Sequence, residues 1–297
     1  MTSTPARATA GTVSVTEDHD GLVATILVDR SAKLNALSLE ILAALETQLD
    51  TVALSPARVV VLRTGGEKVF CVGADINAFS QFSAADMWRR WIPVGHRAFD
   101  RLARLPQPTV AVVDGLAVGG GLELALACDL RIAAGHARFG LPELGLGTIP
   151  GWGGAGRLTA LVGASRAKEL ILTRRQIDAP TALAWGLVNS VAAEGSGSLE
   201  AEVERLVVDL LGSAPIAQQV TKQLIDAAAA GAPAAALRAD RVHVSRVHLP
   251  ATPGAGPPGE GVPGVPTRDQ PASVEEDQPA RSPVAAAPLD LPHLHRI

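Results

Sequence analysis

Apolar and polar positions alternate near the start of the chain and then take up a helical spacing. The segments TVSVT (12–16) and LVATILVD (22–29) flank an Asp-Gly turn, a pattern that predicts a β-hairpin. Ser38 is a residue type that caps helix N-termini, and the apolar positions after it recur on one helical face. These positions are Ile41, Leu42, Leu45, Leu49 and Val52. We therefore predict a helix that begins after Ser38 and ends at the Ser-Pro pair at 55–56.

Apolar runs bounded by glycine and proline continue the pattern. Two of them predict buried strands: RVVVLRT (58–64) and PTVAVVDG (108–115). A third, VFCVGADI (69–76), predicts a short strand that runs into a loop. Residues 84–104 have a helical pattern that Pro93 interrupts or bends. Short strand-like segments follow at 130–134 and 137–140, and the pattern is mostly helical from about residue 157. Strands that alternate with helices predict an α/β fold.

The chain changes character near its C-terminal end. Residues 250–297 hold eleven of the 21 prolines and five glycines, with hardly any periodic apolar pattern. Such a segment buries too little surface to offset the entropy of ordering, so we predict a disordered tail. The predicted organisation is a flexible N-terminus at 1–11, a core at 12–195, a helical region at 196–249 and the tail at 250–297.

Composition and charge exclude several classes of protein. A net charge of -4 without a basic cluster argues against binding to nucleic acid. The sequence has neither an apolar run near the roughly 20 residues of a membrane span nor a secretory signal, so we expect no membrane association and a cytoplasmic location. Cys71 and Cys128 lie in apolar segments. We expect both to be buried, reduced thiols, and we predict no metal site.

Two glutamates beside glycine-rich bends are the strongest candidates for chemistry. Glu123 lies in VGGGLELALACDL (118–130), and Glu143 lies in FGLPELGLGTIPGWGG (139–154). A carboxylate in apolar surroundings is costly unless it is paired, hydrogen-bonded or used in a reaction. Taken singly, each is better explained by a structural role. Glu123 can interact with a helix dipole, and Glu143 can bind turn amides.

Glycine bends next to helix N-termini expose backbone N–H groups to a ligand. Gly119–Gly121 form one such bend, and GADI (73–76) forms a second. Two N–H donors from separate bends can bind one developing oxyanion. Since Gly120 lies one helical turn before Glu123, the donor and the carboxylate can share a cavity. Asp75 has a simpler interpretation as a helix N-cap.

Five strings at ordered positions closely resemble the enoyl-CoA hydratase/isomerase (crotonase) superfamily, over roughly residues 12–230. They are KLNALS (33–38), FCVGADI (70–76), VDGLAVGGGLELALACDLRIA (113–133), ARFGLPELGLGTIPGWGG (137–154) and APTALAWGLVN (179–189). The resemblance implies a spiral of ββα repeats followed by an α-helical trimerisation region. It also implies an acyl-CoA thioester substrate, no cofactor beyond it, and a homotrimer or a hexamer built as a dimer of trimers.

The resemblance further assigns roles to residues. The N–H groups of Ala74 and Gly120 match the family's oxyanion-hole donors to the thioester carbonyl. Glutamate at both acidic positions is typical of hydratases: Glu123 would deprotonate the attacking water, and Glu143 would protonate the α-carbon. The residues that match substrate- and CoA-binding positions are Lys33, Leu34, Ala36, Ala74, Asp75, Ile76 and Gly120.

The chain departs from the family pattern in several places. Arg174 occupies a position where many relatives have glycine, and AGRL (155–158) replaces Thr-Gln-Arg-Leu; we expect both outside the reacting centre. The closing amphipathic helix of relatives is not recognisable after about residue 242, which suggests a reading-frame shift near 242–250. Its loss would expose apolar surface and weaken assembly. Trp152 either narrows the acyl pocket or packs in the core.

Three hypotheses about function follow. The first is a 2-enoyl-CoA hydratase of fatty-acid or related acyl-CoA metabolism. The second is an enoyl-CoA isomerase, which moves a double bond by proton transfer with one glutamate. The third is a non-catalytic acyl-CoA binding protein, which the altered C-terminus favours. Assays distinguish the three: a hydratase hydrates a 2-enoyl thioester, an isomerase converts a 3-enoyl thioester, and a binding protein binds CoA esters without turnover.

Overall fold

The hairpin and the first helix form where the sequence pattern predicts them. In a computed structural model that describes residues 10–66 and 68–231, β1 (Thr12–Asp18) pairs antiparallel with β2 (Val23–Asp29). Helix α1 (Leu39–Ala53) follows Ser38, whose hydroxyl accepts a hydrogen bond from the Ile41 N–H. The predicted apolar face of α1 is the face that is buried. Both predictions are confirmed.

The rest of the described chain consists of short strands between helices. The strands are β3 (Val59–Thr64), β4 (Val69–Cys71), β5 (Thr109–Val113), β6 (Leu116–Val118), β7 (Leu130–Ala133), β8 (Arg138–Gly140), β9 (Gln176–Asp178) and β10 (Ser190–Val191). The helices are α2 (Ile76–Phe79), α3 (Ala84–Asp86), α4 (Ile92–Ala103), α5 (Gly120–Leu126), α6 (Gly154–Val162), α7 (Ala164–Thr173), α8 (Ala179–Trp185), α9 (Ser198–Leu211) and α10 (Pro215–Ala229). Ser31–Lys33 and Glu143–Leu146 are 3₁₀ helices, and Met87–Trp91 is a π-helix.

Successive strands divide between two sheets and thereby build a spiral. The larger sheet has the order β1-β2-β3-β5-β7-β10, and the smaller sheet has the order β4-β6-β8-β9. In each repeat the first strand joins the larger sheet and the second joins the smaller one, as β3 and β4, β5 and β6, and β7 and β8 do. Apart from the β1–β2 and β8–β9 pairs, neighbouring strands are parallel. The predicted α/β class and ββα spiral are confirmed.

The larger sheet is covered on both faces, which explains its continuous apolar strands. Val60 and Leu62 of β3 face the main core with α1, whereas Val59 and Val61 pack with α9. Helices α9 and α10 lie within the predicted helical region. Residues 1–9 and 232–297, which include the predicted tail, lie outside the described residues. Within the described ranges, no helix is both long and apolar enough to cross a membrane.

Two details differ from the sequence pattern or refine it. VFCVGADI forms the short strand β4 and then runs into a loop, as predicted. The sequence pattern does not predict β6, β9 or β10, because strands this short contain too few positions to show a period. The predicted interruption near Pro93 takes the form of the π-helix that precedes α4. Proline lacks an N–H and its ring clashes with the carbonyl one turn earlier, which shifts the hydrogen-bond ladder. The two cysteines are buried and free, as predicted.

Candidate active site

Two glycine bends meet at the centre of the site. Strands β4 and β6 are parallel neighbours, so the bends that follow them lie side by side. A Cβ atom on Gly73 would lie only 2.8 Å from the Gly120 nitrogen, so this approach requires glycine. Within the described residues, the N–H groups of Ala74 and Gly120 donate no hydrogen bond. The structure therefore brings the two predicted oxyanion-hole donors together and leaves both available to a ligand.

Two residues that sequence reasoning missed hold the bend at 73–76 and the strand that leads into it. The buried side-chain amide of Asn35 donates hydrogen bonds to the carbonyl groups of Gly65, Val69 and Phe70. Arg30 forms an ion pair with Asp75 at 2.7 Å. Asp75 also caps α2, as its simpler interpretation predicted. Asn35 stands within the family-like string KLNALS, but nothing in the sequence indicated which carbonyl groups it would bind.

A cavity of about 160 Å³ lies next to the two bends. Five of the predicted site residues line it: Ala74, Ile76, Gly120, Glu123 and Glu143. Lys33, Leu34, Ala36 and Asp75 do not line this cavity, and their contact with CoA stays a prediction. The cavity thus joins both glutamates to both predicted oxyanion-hole donors.

Glu123 is buried and firmly held by backbone groups. Its side chain is 2% exposed, and its Oε1 accepts hydrogen bonds of 2.8 Å from both the Trp152 N–H and the Gly154 N–H. Burial raises the pKa of Glu123, while the two N–H donors and the positive charge of Arg157 oppose that rise. These opposing groups favour the ionised carboxylate.

Glu143 has a contrasting environment. It begins the 3₁₀ helix after β8, and both carboxyl oxygens are buried without a hydrogen-bond partner in the described part of the chain. Burial raises the pKa of Glu143 to about 7; the backbone N–H of Glu143 opposes this rise, and the negative charge of Glu123 adds to it. Because burial outweighs that N–H group, this environment favours the protonated carboxyl group.

Comparison with known proteins identifies the family. The sequence model of the family described as "Enoyl-CoA hydratase/isomerase" matches residues 18–248. The chain belongs to this family. The short-chain-enoyl-CoA hydratase of Clostridium acetobutylicum is 38% identical over 210 residues, which are 70% of this chain and 79% of that protein. The crotonyl-CoA hydratase of Syntrophomonas wolfei is 38% identical over 201 residues, 67% of this chain and 76% of that one.

A solved structure of the family has the same fold. The crystal structure of enoyl-CoA hydratase from Bacillus anthracis superposes with a TM-score of 0.74 at 35% identity, covering 79% of this chain and 90% of that one. The predicted family and its crotonase-like fold are therefore confirmed.

In this member of the enoyl-CoA hydratase/isomerase family, Arg157 of the AGRL string contacts residues that support the site. Arg157 does not line the cavity, in agreement with its expected place outside the reacting centre. It nevertheless donates hydrogen bonds to the Trp152 carbonyl at 2.8 Å and to Asp100 at 2.7 Å. Because the Trp152 N–H binds Glu123, Arg157 stabilises the loop that holds this carboxylate.

Arg174, the other departure from the family pattern, adopts glycine-like backbone geometry. Its φ of 59° lies in the left-handed region, where a side chain is strained. Its guanidinium lies close to Gly145, in the 3₁₀ helix that begins with Glu143. Arg174 therefore packs against the short helix that carries Glu143.

Proposed function

We propose that this protein adds water across the double bond of a short-chain 2-enoyl-CoA thioester and forms a 3-hydroxyacyl-CoA. One observation carries the proposal: two buried glutamates, of which Glu123 accepts two backbone N–H groups and Glu143 is left with a pKa of about 7, share a cavity with two N–H donors that are unused among the described residues. Such a pair supplies a base and an acid at the same pH. Relatives named short-chain-enoyl-CoA hydratase and crotonyl-CoA hydratase support both the reaction and the short acyl group.

The two backbone donors act on the thioester. Its carbonyl oxygen would accept hydrogen bonds from the N–H groups of Ala74 and Gly120, which withdraws electrons from the double bond and makes the β-carbon electrophilic. The same donors stabilise the enolate oxygen after water has attacked. Since the donors belong to bends that contact each other, they need little reorganisation during the reaction.

The glutamates divide the proton transfers. Glu123, held as a carboxylate, takes a proton from water as the water oxygen bonds to the β-carbon. The electrons of the double bond move to the enolate, and Glu143, held as the acid, gives its proton to the α-carbon. One proton is accepted and one is donated, so the overall reaction is the addition of water. Transfer of a proton from Glu123 back to Glu143 restores the starting state.

The Glu143→Gln variant tests this assignment. Loss of a general acid typically lowers the rate about 10²–10⁴-fold, so we expect kcat/KM for crotonyl-CoA to fall at least 100-fold, roughly the lower end of that range. Binding of a CoA ester should change little, because the amide keeps the shape of the carboxyl group. The assay follows the ultraviolet absorbance of the conjugated enoyl thioester. Glu194→Gln, at an exposed position, is the matched control.

Two results would contradict the proposal. Turnover by Glu143→Gln at the rate of the unmodified protein would remove the acid from the mechanism. Absence of hydration by the unmodified protein, with conversion of a 3-enoyl-CoA instead, would favour the isomerase hypothesis.

We also propose assembly as a homotrimer or as a dimer of trimers. Helix α10 exposes Ile216 and Ile225, which are 67% and 62% accessible in the single chain. They lie nine positions apart, which places the two side chains on opposite sides of the helix. A helix that carries apolar side chains on both sides is typical of one that is covered in an assembly. Sedimentation equilibrium of the full chain tests this, and a monomer at micromolar concentration would contradict it.

A further inference from the structure

We infer that Trp152 determines the acyl-chain length that the site accepts. The inference rests on the proposed function, since it concerns the acyl group of that reaction. Trp152 and Trp91 both line the cavity, and their side chains are 3% and 2% exposed. The two rings stack with centroids 5.8 Å apart at an interplanar angle of 29°. Two indole rings therefore form a continuous wall of the cavity.

The Trp152 ring lies between two glycines that make room for it. A Cβ atom on Gly95 would lie 2.2 Å from the indole Nε1, and one on Gly120 would lie 2.6 Å from Cζ3. Glycine is a poor helix former, and Gly95 stands inside α4, so its presence there is explained by close contact with the indole. Gly120 supplies an oxyanion-hole N–H in the proposed mechanism. The indole therefore lies directly beside the expected position of the thioester carbonyl.

Packing on the far side restrains the ring. Phe99 contacts it edge-on with centroids 5.3 Å apart, and Phe99 is buried but does not line the cavity. The indole Nε1 has no hydrogen-bond partner among residues 10–66 and 68–231. Shape, and not a hydrogen bond, therefore holds the ring in place. Because protein interiors are close-packed, a longer acyl chain cannot displace it without moving several aromatic neighbours.

The position of the indole sets the expected limit. The cavity is small, at about 160 Å³, and the Trp152 ring lies against Gly120 at the end where the thioester carbonyl is expected. An acyl chain that extends from Gly120 toward Trp152 would have to occupy the space that the indole fills. We therefore expect a four-carbon enoyl group to fit better than longer ones.

Chain-length preference is the measurement that tests the inference. We would measure kcat/KM for the four-, six- and eight-carbon 2-enoyl-CoA thioesters with the full chain and with Trp152→Ala, Trp152→Leu and Trp152→Phe. The matched control is Phe99→Leu, which loosens the same packing without opening the cavity. Each methylene that gains a buried site raises kcat/KM about fourfold, so two methylenes give roughly 15-fold.

We expect the unmodified protein to prefer the four-carbon substrate over the eight-carbon one by at least tenfold. Trp152→Ala should raise the six-to-four ratio, which reports two methylenes, by roughly 15-fold and should raise the eight-to-four ratio at least as much, with smaller rises in Trp152→Phe and none in Phe99→Leu. If Trp152→Ala does not fold, Trp152→Leu supplies the same comparison. The ratio is informative even if a variant loses overall rate, since the Trp152 backbone also binds Glu123.

Three outcomes would overturn the inference. They are equal kcat/KM for the four- and eight-carbon substrates in the unmodified protein, an unchanged ratio in the Trp152 variants, and the same change in Phe99→Leu. Failure of the proposed function looks different, because the unmodified protein would then hydrate none of the three thioesters.

Discussion

Replacement of Glu143 by glutamine should change the pH dependence of stability in a way that depends on the buried carboxyl group. In the folded protein the pKa of Glu143 is raised to about 7 from an ordinary value of 4.5. Between these pH values the unfolded chain has released this proton and the folded chain still holds it. Folding stability therefore falls as pH rises through this window and levels off above about pH 7.

The magnitude follows from the two pKa values. A tenfold difference in proton affinity corresponds to about 1.4 kcal/mol, so ionisation of a fully buried Glu143 would cost roughly 3 kcal/mol. Glu143 is only half-buried, and solvent screening reduces this to about 2 kcal/mol. Glutamine does not titrate, so the Glu143→Gln variant does not lose this free energy of unfolding at high pH. Its stability relative to the unmodified protein should be about 2 kcal/mol more favourable at pH 8 than at pH 5.

Urea denaturation of both proteins at pH 5 and pH 8 measures this difference. The protein concentration must be the same throughout, because subunit assembly adds to apparent stability. Other titrating groups are shared by the two proteins and cancel in the comparison. Glu194→Gln controls for the general effect of removing one negative charge. If Glu143→Gln and the unmodified protein respond equally to pH, the carboxyl group is not destabilised by burial and the reasoning fails.

Three further predictions concern the same elements. The kcat/KM for crotonyl-CoA should decrease above pH 7, about the pKa of Glu143, because the proposed acid must be protonated; a rate that is constant to pH 9 would contradict this role. Arg157→Met should raise the pKa of Glu123 further, because it removes a positive charge that opposes the effect of burial. The acid limb of the kcat/KM profile should therefore move to higher pH, and Arg157→Lys should partly reverse the shift; an unmoved limb would show a purely structural role. Arg174→Gly should relieve left-handed backbone strain and raise the free energy of unfolding by about 0.5–1 kcal/mol, as measured by thermal unfolding. The control Arg175→Gly should lower the free energy of unfolding. Destabilisation by both substitutions would contradict the strain argument.

The sequence by itself determined the elements whose signals are local. Alternation over 12–29 predicted the hairpin, and the spacing after Ser38 predicted both the cap and the buried face of α1. The glycine bends and the two glutamates were recognisable as candidates for the same reason. Their grouping followed from family resemblance, since residues taken singly favoured structural roles for Glu123 and Glu143.

Only the tertiary structure decided which groups surround those glutamates. The donors to Glu123 are backbone N–H groups at Trp152 and Gly154, and backbone groups leave no signature in a sequence. Glu143 acquires its raised pKa because the fold buries its carboxyl group beside Glu123, which no local pattern reveals. The contacts of the Trp152 ring with Gly95 and Gly120 likewise bring together three segments that are distant along the chain. Local periodicity is present in each short stretch of sequence. Burial and contact arise instead from the pairing of distant strands: the parallel pairing of β4 and β6 brings the two bends that follow them to the same edge of the smaller sheet.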